Sequence, residues 1–246
     1  RIMEILREDC PWDAEQTHET LKPHLIEETY EVLEALDDED MDLLEEELGD
    51  LLLQIVFHAQ IASEARYFDI QDVIFRLCRK LIYRHPSIFG EKKMQGDFTS
   101  AQTWEEMKRK EKGVKTHTDN LGRIPKHLPA LMKSYKVQKK AAQAGFDWKH
   151  IDGALQKVKE EYLELLEVYN TDKSDRIKDE IGDLLFSVVN VARFLEIDPE
   201  SALNGTIEKF IKRFSFIESS AKRLGKCLGE MTLAEMDVLW NKAKDI

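Results

Sequence analysis

The chain has 246 residues, 42% of them apolar and 34% charged, and carries 48 acidic against 36 basic side chains for a formal net charge of −12. That balance excludes a membrane-embedded or disordered chain and argues against long nucleic acids and anionic membranes as partners, because a negative surface repels both. A small polyanion escorted by a divalent cation stays allowed, since the cation reverses the local charge.

Leucine, glutamate, lysine and alanine dominate, and apolar positions recur at three and four residues, so most of the chain reads as helix. The first break is Cys10-Pro11-Trp12. From Glu27, EETYEVLEALDDEDMDLLEEELGDLLLQIV reads as two helices joined by the polar DDEDMD. The next helix carries Lys80 and Arg84 four apart on one face and ends where glycine and proline gather, from His85-Pro86 to Gly96. Trp104 and Lys108 follow, also four apart. GVKTHTDNLGRIPKHLP, Gly113 to Pro129, reads as a linker. EEYLELLEVYNTDKSDRIKDEIGDLLFSVV then opens at Glu160 as a second pair of helices about NTDKSD. Lys209 and Arg213 share a later helix face, and Trp240 and Lys244 close the series. Apolar runs such as Leu51 to Phe57 are too short to span a bilayer. No basic-then-apolar leader opens the chain, and Cys10, Cys78 and Cys227 show no disulfide or metal spacing, so a cytoplasmic protein with reduced thiols is expected.

The two paired-helix stretches align without a gap. Glu27, Glu28, Glu31 and Glu34 fall on Glu160, Glu161, Glu164 and Glu167, and Glu47, Gly49 and Asp50 fall on Glu180, Gly182 and Asp183. Weaker echoes follow in the same order: KLIYR at Lys80 with KFIKR at Lys209, and WEEMK at Trp104 with WNKAK at Trp240. The chain therefore reads as an all-α protein of two tandem helical-bundle domains, residues 1–118 and 119–246.

An acid-acid-x-x-acid pattern arises by chance about twice in so acidic a chain, as an ordinary solvated helix face. Two gapless copies with matched partners weigh more. Glu28 and Glu31 share a helix face, as do Glu47 and Asp50. The midpoint between these pairs is Glu39, inside the polar connection, so an antiparallel hairpin brings all four carboxylates to one height. In the second copy the midpoint is Asp172. ELGDLLLQIVFHAQIA and EIGDLLFSVVNVARFL are apolar around most of their circumference and read as buried helices. Carboxylates crowded there repel one another and lose hydration, which a bound cation relieves. Oxygen-only ligands select a hard ion, Mg²⁺ or Mn²⁺. A di-iron centre is the competing metal reading, but it calls for Glu-x-x-His where this chain has Glu-x-x-Asp. His58 could face the first site, yet Val191 stands at its counterpart.

These residues resemble the MazG-type nucleoside triphosphate pyrophosphohydrolases. The likeness extends to CPWDAEQT at Cys10, RHPSIF at Arg84, AGFDW at Ala144 and GDLLFSVVNVAR at Gly182, so it spans almost the whole chain in the tandem form. The resemblance implies paired all-α MazG-like bundles, a homodimer, and Mg²⁺-dependent cleavage of nucleoside triphosphates between the α- and β-phosphates. It also implies metal ligands at Glu161, Glu164, Glu180 and Asp183, matched by Glu28, Glu31, Glu47 and Asp50. Glu160 and Glu27, each beside a ligand, are candidates to take the attacking water's proton, or else are solvent-facing helix residues.

Candidate substrate-binding residues are Lys209, Arg213, Trp240 and Lys244, with Lys80, Arg84, Trp104 and Lys108 as their echoes. Such pairs are more often surface lysines and core tryptophans, and repetition is what favours the functional reading. Asn190 lies on the acids' face and can donate and accept, as base or sugar recognition requires. Phe57 stands at its counterpart, so the second domain is expected to be the better general hydrolase. The expected role is control or cleaning of the nucleotide pool. Alternatives are a pyrophosphatase of the same fold with one narrow substrate, a non-catalytic nucleotide sensor, and a helical scaffold with purely surface acids.

Overall fold

The computed structural model describes residues 1–90, 107, 111, 113, 116–171 and 173–245. Among these the regular structure is helical, without strands. The chain divides into two compact units, Arg1–Glu111 and Lys112–Ile246.

The first unit contains α1 (Ile2–Asp9), α2 (Pro11–Glu15), α3 (Lys22–Asp37), α4 (Met41–Glu64), α5 (Ile70–Arg84) and α6 (Pro86–Phe89). Three of these begin with a proline in the first turn, where a fixed φ helps and no N–H is needed. α3 and α4 pack together as the hairpin read from the sequence. Its turn is built by two residues. Glu39 takes a positive φ of 54°, letting the Asp40 N–H reach back 3.0 Å to the Ala35 carbonyl. The Asp40 carboxylate then caps α4, accepting from the Asp42 and Leu43 amides. Met3, Leu21 and Phe57 form a buried cluster that seats α1 and the loop before α3 on α4. Arg7 ties the same elements. Its Nε and Nη2 donate to the two Glu64 oxygens at 2.9 and 2.6 Å, and Nη1 donates to the carbonyls of Asp13, Ala14 and Gln16.

The second unit contains α7 (His117–Gly122), α8 (Ala130–Gln143), α9 (Ile151–Val168), α10 (Ser174–Phe194), α11 (Pro199–Arg223) and α12 (Leu233–Lys242). α9 and α10 form the second hairpin, and α8 packs against α10. Asp172, its midpoint in sequence, lies outside the described residues. Ile217, Ala221, Met231 and Leu239 form a core where α11 meets α12. Reciprocal capping boxes start α7 (Thr116 with Asp119) and α12 (Thr232 with Glu235).

One expectation needs correction. α4 and α10 are apolar on most sides, but they are not buried on most sides. Leu52 is 56% exposed and Leu185 53%, and Leu48, Ile55, Ile181 and Val188 are also open. Each helix is covered by its hairpin partner and touched by two further helices, which still leaves an apolar strip uncovered in the single chain.

Candidate metal and nucleotide site

In the first unit, oxygens of Glu28, Glu47 and Asp50 all lie within 4.8 Å of one another. Glu31 stands beside them. Desolvation, then the charges of Glu47 and Glu28, raises its carboxyl above the ordinary value. Desolvation and then Asp50 raise that of Glu47 in the same way. In the second unit the group within 4.8 Å is Glu161, Glu164 and Glu180, with Glu161 and Glu180 buried. Desolvation, then Glu161 and Glu180, raises the Glu164 carboxyl. Asp183 lies outside this tight group and lines an adjoining cavity that Glu161 also lines. The equal spacing of both pairs from the hairpin turn brings three of the four expected carboxylates into each tight group, Glu31 and Asp183 being the fourth in each case.

Clustered carboxylates offering only oxygen, with protonation made easier by mutual repulsion, suit a hard divalent cation. The di-iron reading would call for a histidine ligand, and His58 is otherwise engaged. Its Nδ1 lies 2.8 Å from that of His18, the rings are stacked, and burial followed by His18 holds it below the usual histidine range.

The two clusters differ in their neighbours. In the first, Gln54 Nε2 donates to Glu28 Oε1 at 3.2 Å. In the second, Lys157 Nζ lies 2.6 Å from Oε1 of both Glu160 and Glu161. Hydrogen bonds to Glu160 and then Glu161 raise its pKa above the ordinary lysine value. Arg176 Nε sits 3.6 Å from Glu180. Of the two candidate bases, Glu160 is therefore held by Lys157, and Glu27 pairs with His24 at 3.4 Å.

The cavity of the second unit has a volume of about 680 Å³. Phe146, Trp148 and Phe186 give it aromatic walls, Gln138 and Asn190 add amides, and Lys157, Glu161 and Asp183 add charged groups. Local sequence explains this shape. Gly145, at φ 92°, turns the chain after α8. Gly153 lets Trp148 lie against α9, where a Cβ would approach to 2.4 Å. Arg193 bridges Asp147 (2.6 Å) and the Asn190 carbonyl oxygen (2.8 Å), which directs the Asn190 amide hydrogens elsewhere. Gln138, 7% exposed, donates to the Phe186 carbonyl at 2.8 Å, and its own carbonyl oxygen has no partner.

The remaining candidates are dispersed. Arg213 lies 5.5 Å over the Trp240 ring, and Trp240 packs on Phe210 and on the α11–α12 core. Lys209 is exposed one turn earlier on α11, and Lys244 bonds the Asn241 side chain. Among the described residues, none of these four is paired with an acid of the cluster. Arg84 is buried against Glu111 at 2.6 Å, and Lys80 is half-buried. Trp104 and Lys108 lie outside the described residues. Phe57, the counterpart of Asn190, is a core residue. Sequence reasoning found Asn190 of the cavity lining but missed Lys157, Gln138 and the aromatic walls. A lysine four residues before Glu161 and the glycines at 145 and 153 were the available signals.

Comparison with known proteins agrees with this arrangement. Residues 16–89 and 150–215 match the MazG nucleotide pyrophosphohydrolase domain, once in each unit. The chain is 47% identical over 245 residues to the nucleoside triphosphate pyrophosphohydrolase/pyrophosphatase MazG of Thermotoga maritima, covering 99% of this chain and 93% of that protein. It is 40% identical over 248 residues to a nucleoside triphosphate pyrophosphohydrolase of Escherichia coli, covering 99% and 94%. It is also 48% identical over 237 residues to the uncharacterized protein YabN of Bacillus subtilis, covering 96% of this chain and 48% of that one. With both acidic hairpins inside the matched segments and full-length relatives at this identity, the chain belongs to the MazG nucleotide pyrophosphohydrolase family of enzymes.

Proposed function

We propose that the protein hydrolyses nucleoside or deoxynucleoside triphosphates to the monophosphate and pyrophosphate, using Mg²⁺ or Mn²⁺, and so controls or cleans the nucleotide pool. The observation that carries this reading is the junction in the second unit, where Glu161 and Asp183 stand on the wall of a cavity that also has aromatic and amide side chains. A triphosphate needs a cation among the carboxylates, and its base needs an apolar slot with a few polar groups.

In this reading Glu161, Glu164, Glu180 and Asp183 hold the cation in the second unit, and Glu28, Glu31, Glu47 and Asp50 hold one in the first. When bound, the cation neutralises phosphoryl oxygens and orients a water for in-line attack. Glu160 or Glu27 accepts that water's proton. Phe146, Trp148 and Phe186 enclose the base, and the Asn190 amide donates to its edge. Arg213 and Trp240 form an outer contact, with Lys209 and Lys244 beside them. The second unit is the general hydrolase and the first differs in specificity or rate, because Phe57 fills the position of Asn190. The exposed leucine, isoleucine and valine side chains of α4 and α10 are covered by a second copy of the chain in a homodimer. No helix among the described residues is long and apolar enough to cross a membrane.

The test is incubation with Mg²⁺ and a panel of NTPs and dNTPs, separating products by ion exchange. Monophosphate plus pyrophosphate, lost with Glu164→Ala, supports the reading and places the reaction in the second unit. Loss only when Glu31→Ala is added makes both units active. Diphosphate plus phosphate, or no turnover, overturns it.

A further inference from the structure

Lys157 stands where the acidic cluster meets the cavity. It lines that cavity, and its ammonium contacts Glu160 and Glu161 at 2.6 Å each. Glu161 is buried and belongs to the carboxylate group that suits a cation. Lys157 therefore already supplies positive charge to a site that needs it. Its counterpart in the first unit is His24, which reaches Glu27 at 3.4 Å. There Glu28 receives the neutral amide of Gln54.

A cation drawn to Glu161 competes with Lys157 for the same carboxylate oxygens. An ammonium carries three donors. With Glu161 recruited to the cation, Lys157 keeps Glu160 and has donors to spare. The proposed reading of the site supplies a new partner. In that reading, with the base against the aromatic walls and the polyphosphate on the carboxylates, the phosphate joined to the sugar is the one that comes to Lys157, which lines the cavity beside Glu161. That is the α-phosphate, whose phosphorus is attacked when the α–β bond is cut.

We propose that Lys157 is a partner-exchanging catalytic residue: it neutralises Glu161 while the cation is away, and when cation and nucleotide bind it keeps Glu160 and transfers its Glu161 hydrogen bond to an α-phosphoryl oxygen. This rests on the pyrophosphohydrolase reading of the same site. It also gives the two units different ground states, one with a resident ammonium and one without.

The test compares Lys157 with Lys157→Met and Lys157→Arg, all in a Glu31→Gln background that removes the first unit's cation site. Calorimetry measures the affinity for Mg²⁺ alone, then for the Mg²⁺ complex of a nucleoside triphosphate with a methylene between its α- and β-phosphorus atoms. Removing the competitor tightens Mg²⁺ binding about tenfold in Lys157→Met, while the analogue binds about tenfold more weakly, and Lys157→Arg recovers most of the analogue affinity. A lysine that only staples one turn of α9 changes the melting temperature and leaves both affinities in place. The proposal is overturned by unchanged or weaker Mg²⁺ binding in Lys157→Met, by unchanged analogue affinity, or by no analogue binding to the Glu31→Gln protein. Failure of the parent reading has a different signature: no monophosphate from any nucleotide with the wild-type protein.

Discussion

Gly153→Ala tests the aromatic wall of the cavity directly. A Cβ at this position lies 2.4 Å from Trp148 Cδ1, 2.5 Å from Cγ and 3.0 Å from Cβ. Rotation about Cα–Cβ moves Cδ1 and Cγ and takes the indole off the cavity wall, but it leaves Cβ in tight contact at 3.0 Å, so either the indole or the segment before α9 must shift. Two effects oppose. Alanine in place of glycine stabilises a helix interior by up to about 1 kcal/mol, and by less in a first turn. Overpacking of this kind costs about 1–3 kcal/mol. The net expectation is a loss of about 1–2 kcal/mol, or roughly 4 °C of melting temperature per kcal/mol for a unit of this length. The affinity for a Mg²⁺–nucleotide complex falls with it, because Trp148 is a cavity wall. Gly205→Ala is the opposite case. It lies inside α11 with nothing within 4 Å of the added carbon, so it stabilises by about 0.5–1 kcal/mol. Thermal denaturation by circular dichroism and calorimetric nucleotide binding read both variants. If Gly153→Ala melts at or above the wild-type temperature and binds nucleotide normally, Trp148 does not pack on α9 and the cavity is drawn wrongly.

Arg7→Ala removes a bidentate ion pair and three carbonyl contacts from a largely buried side chain, and should cost about 2–3 kcal/mol in urea denaturation. It should also flatten part of the acid limb of the stability profile. Arg7 holds the Glu64 carboxyl below its ordinary value, so the stability it contributes is present above the unfolded pKa and is lost as pH falls through the folded one. The acidic clusters have the opposite sign. Glu31, Glu47 and Glu164 have raised carboxyl pKa values, so the folded chain holds extra protons in mildly acidic solution and loses stability as pH rises above the unfolded value. Glu31→Gln and Glu164→Gln should therefore raise the melting temperature in metal-free buffer near neutral pH, while reducing the rise that Mg²⁺ produces. That Mg²⁺-induced rise should be larger at pH 8 than at pH 5, because the cation needs ionised ligands.

The hairpins were legible because their information is local. The carboxylate spacing, the DDEDMD turn and the Asp40 cap all lie within one stretch of chain, and a helical period converts spacing directly into a shared face. The cavity was not legible in the same way. Its walls come from the end of α8, the loop to α9, α9 itself and α10, and no sequence period links Gln138 to Phe186. The expectation that α4 and α10 are enclosed failed for a related reason. An all-round apolar helix shows that cover is required, but not whether the same chain supplies it. Trp240 shows the ambiguity of single residues: four residues before a lysine it resembled a stacking platform, and the structure gives it both a core contact and an arginine over its ring.

Duplication explains why both units kept their acids, and the neighbours of those acids explain why the units need not behave alike. A carboxylate cluster with no fixed ammonium depends on an incoming cation to relieve its repulsion. A cluster already carrying Lys157 and Arg176 is partly neutralised before any ligand arrives. On this argument the first unit binds divalent cation more tightly in the absence of nucleotide. The second gains more from cation and nucleotide arriving together, because the phosphate gives the displaced ammonium a new partner. Calorimetric Mg²⁺ titration of Glu164→Gln and Glu31→Gln reads the first and second sites in turn. A tighter site in the Glu31→Gln protein than in the Glu164→Gln protein would reverse the ranking and remove the charge argument on which it stands.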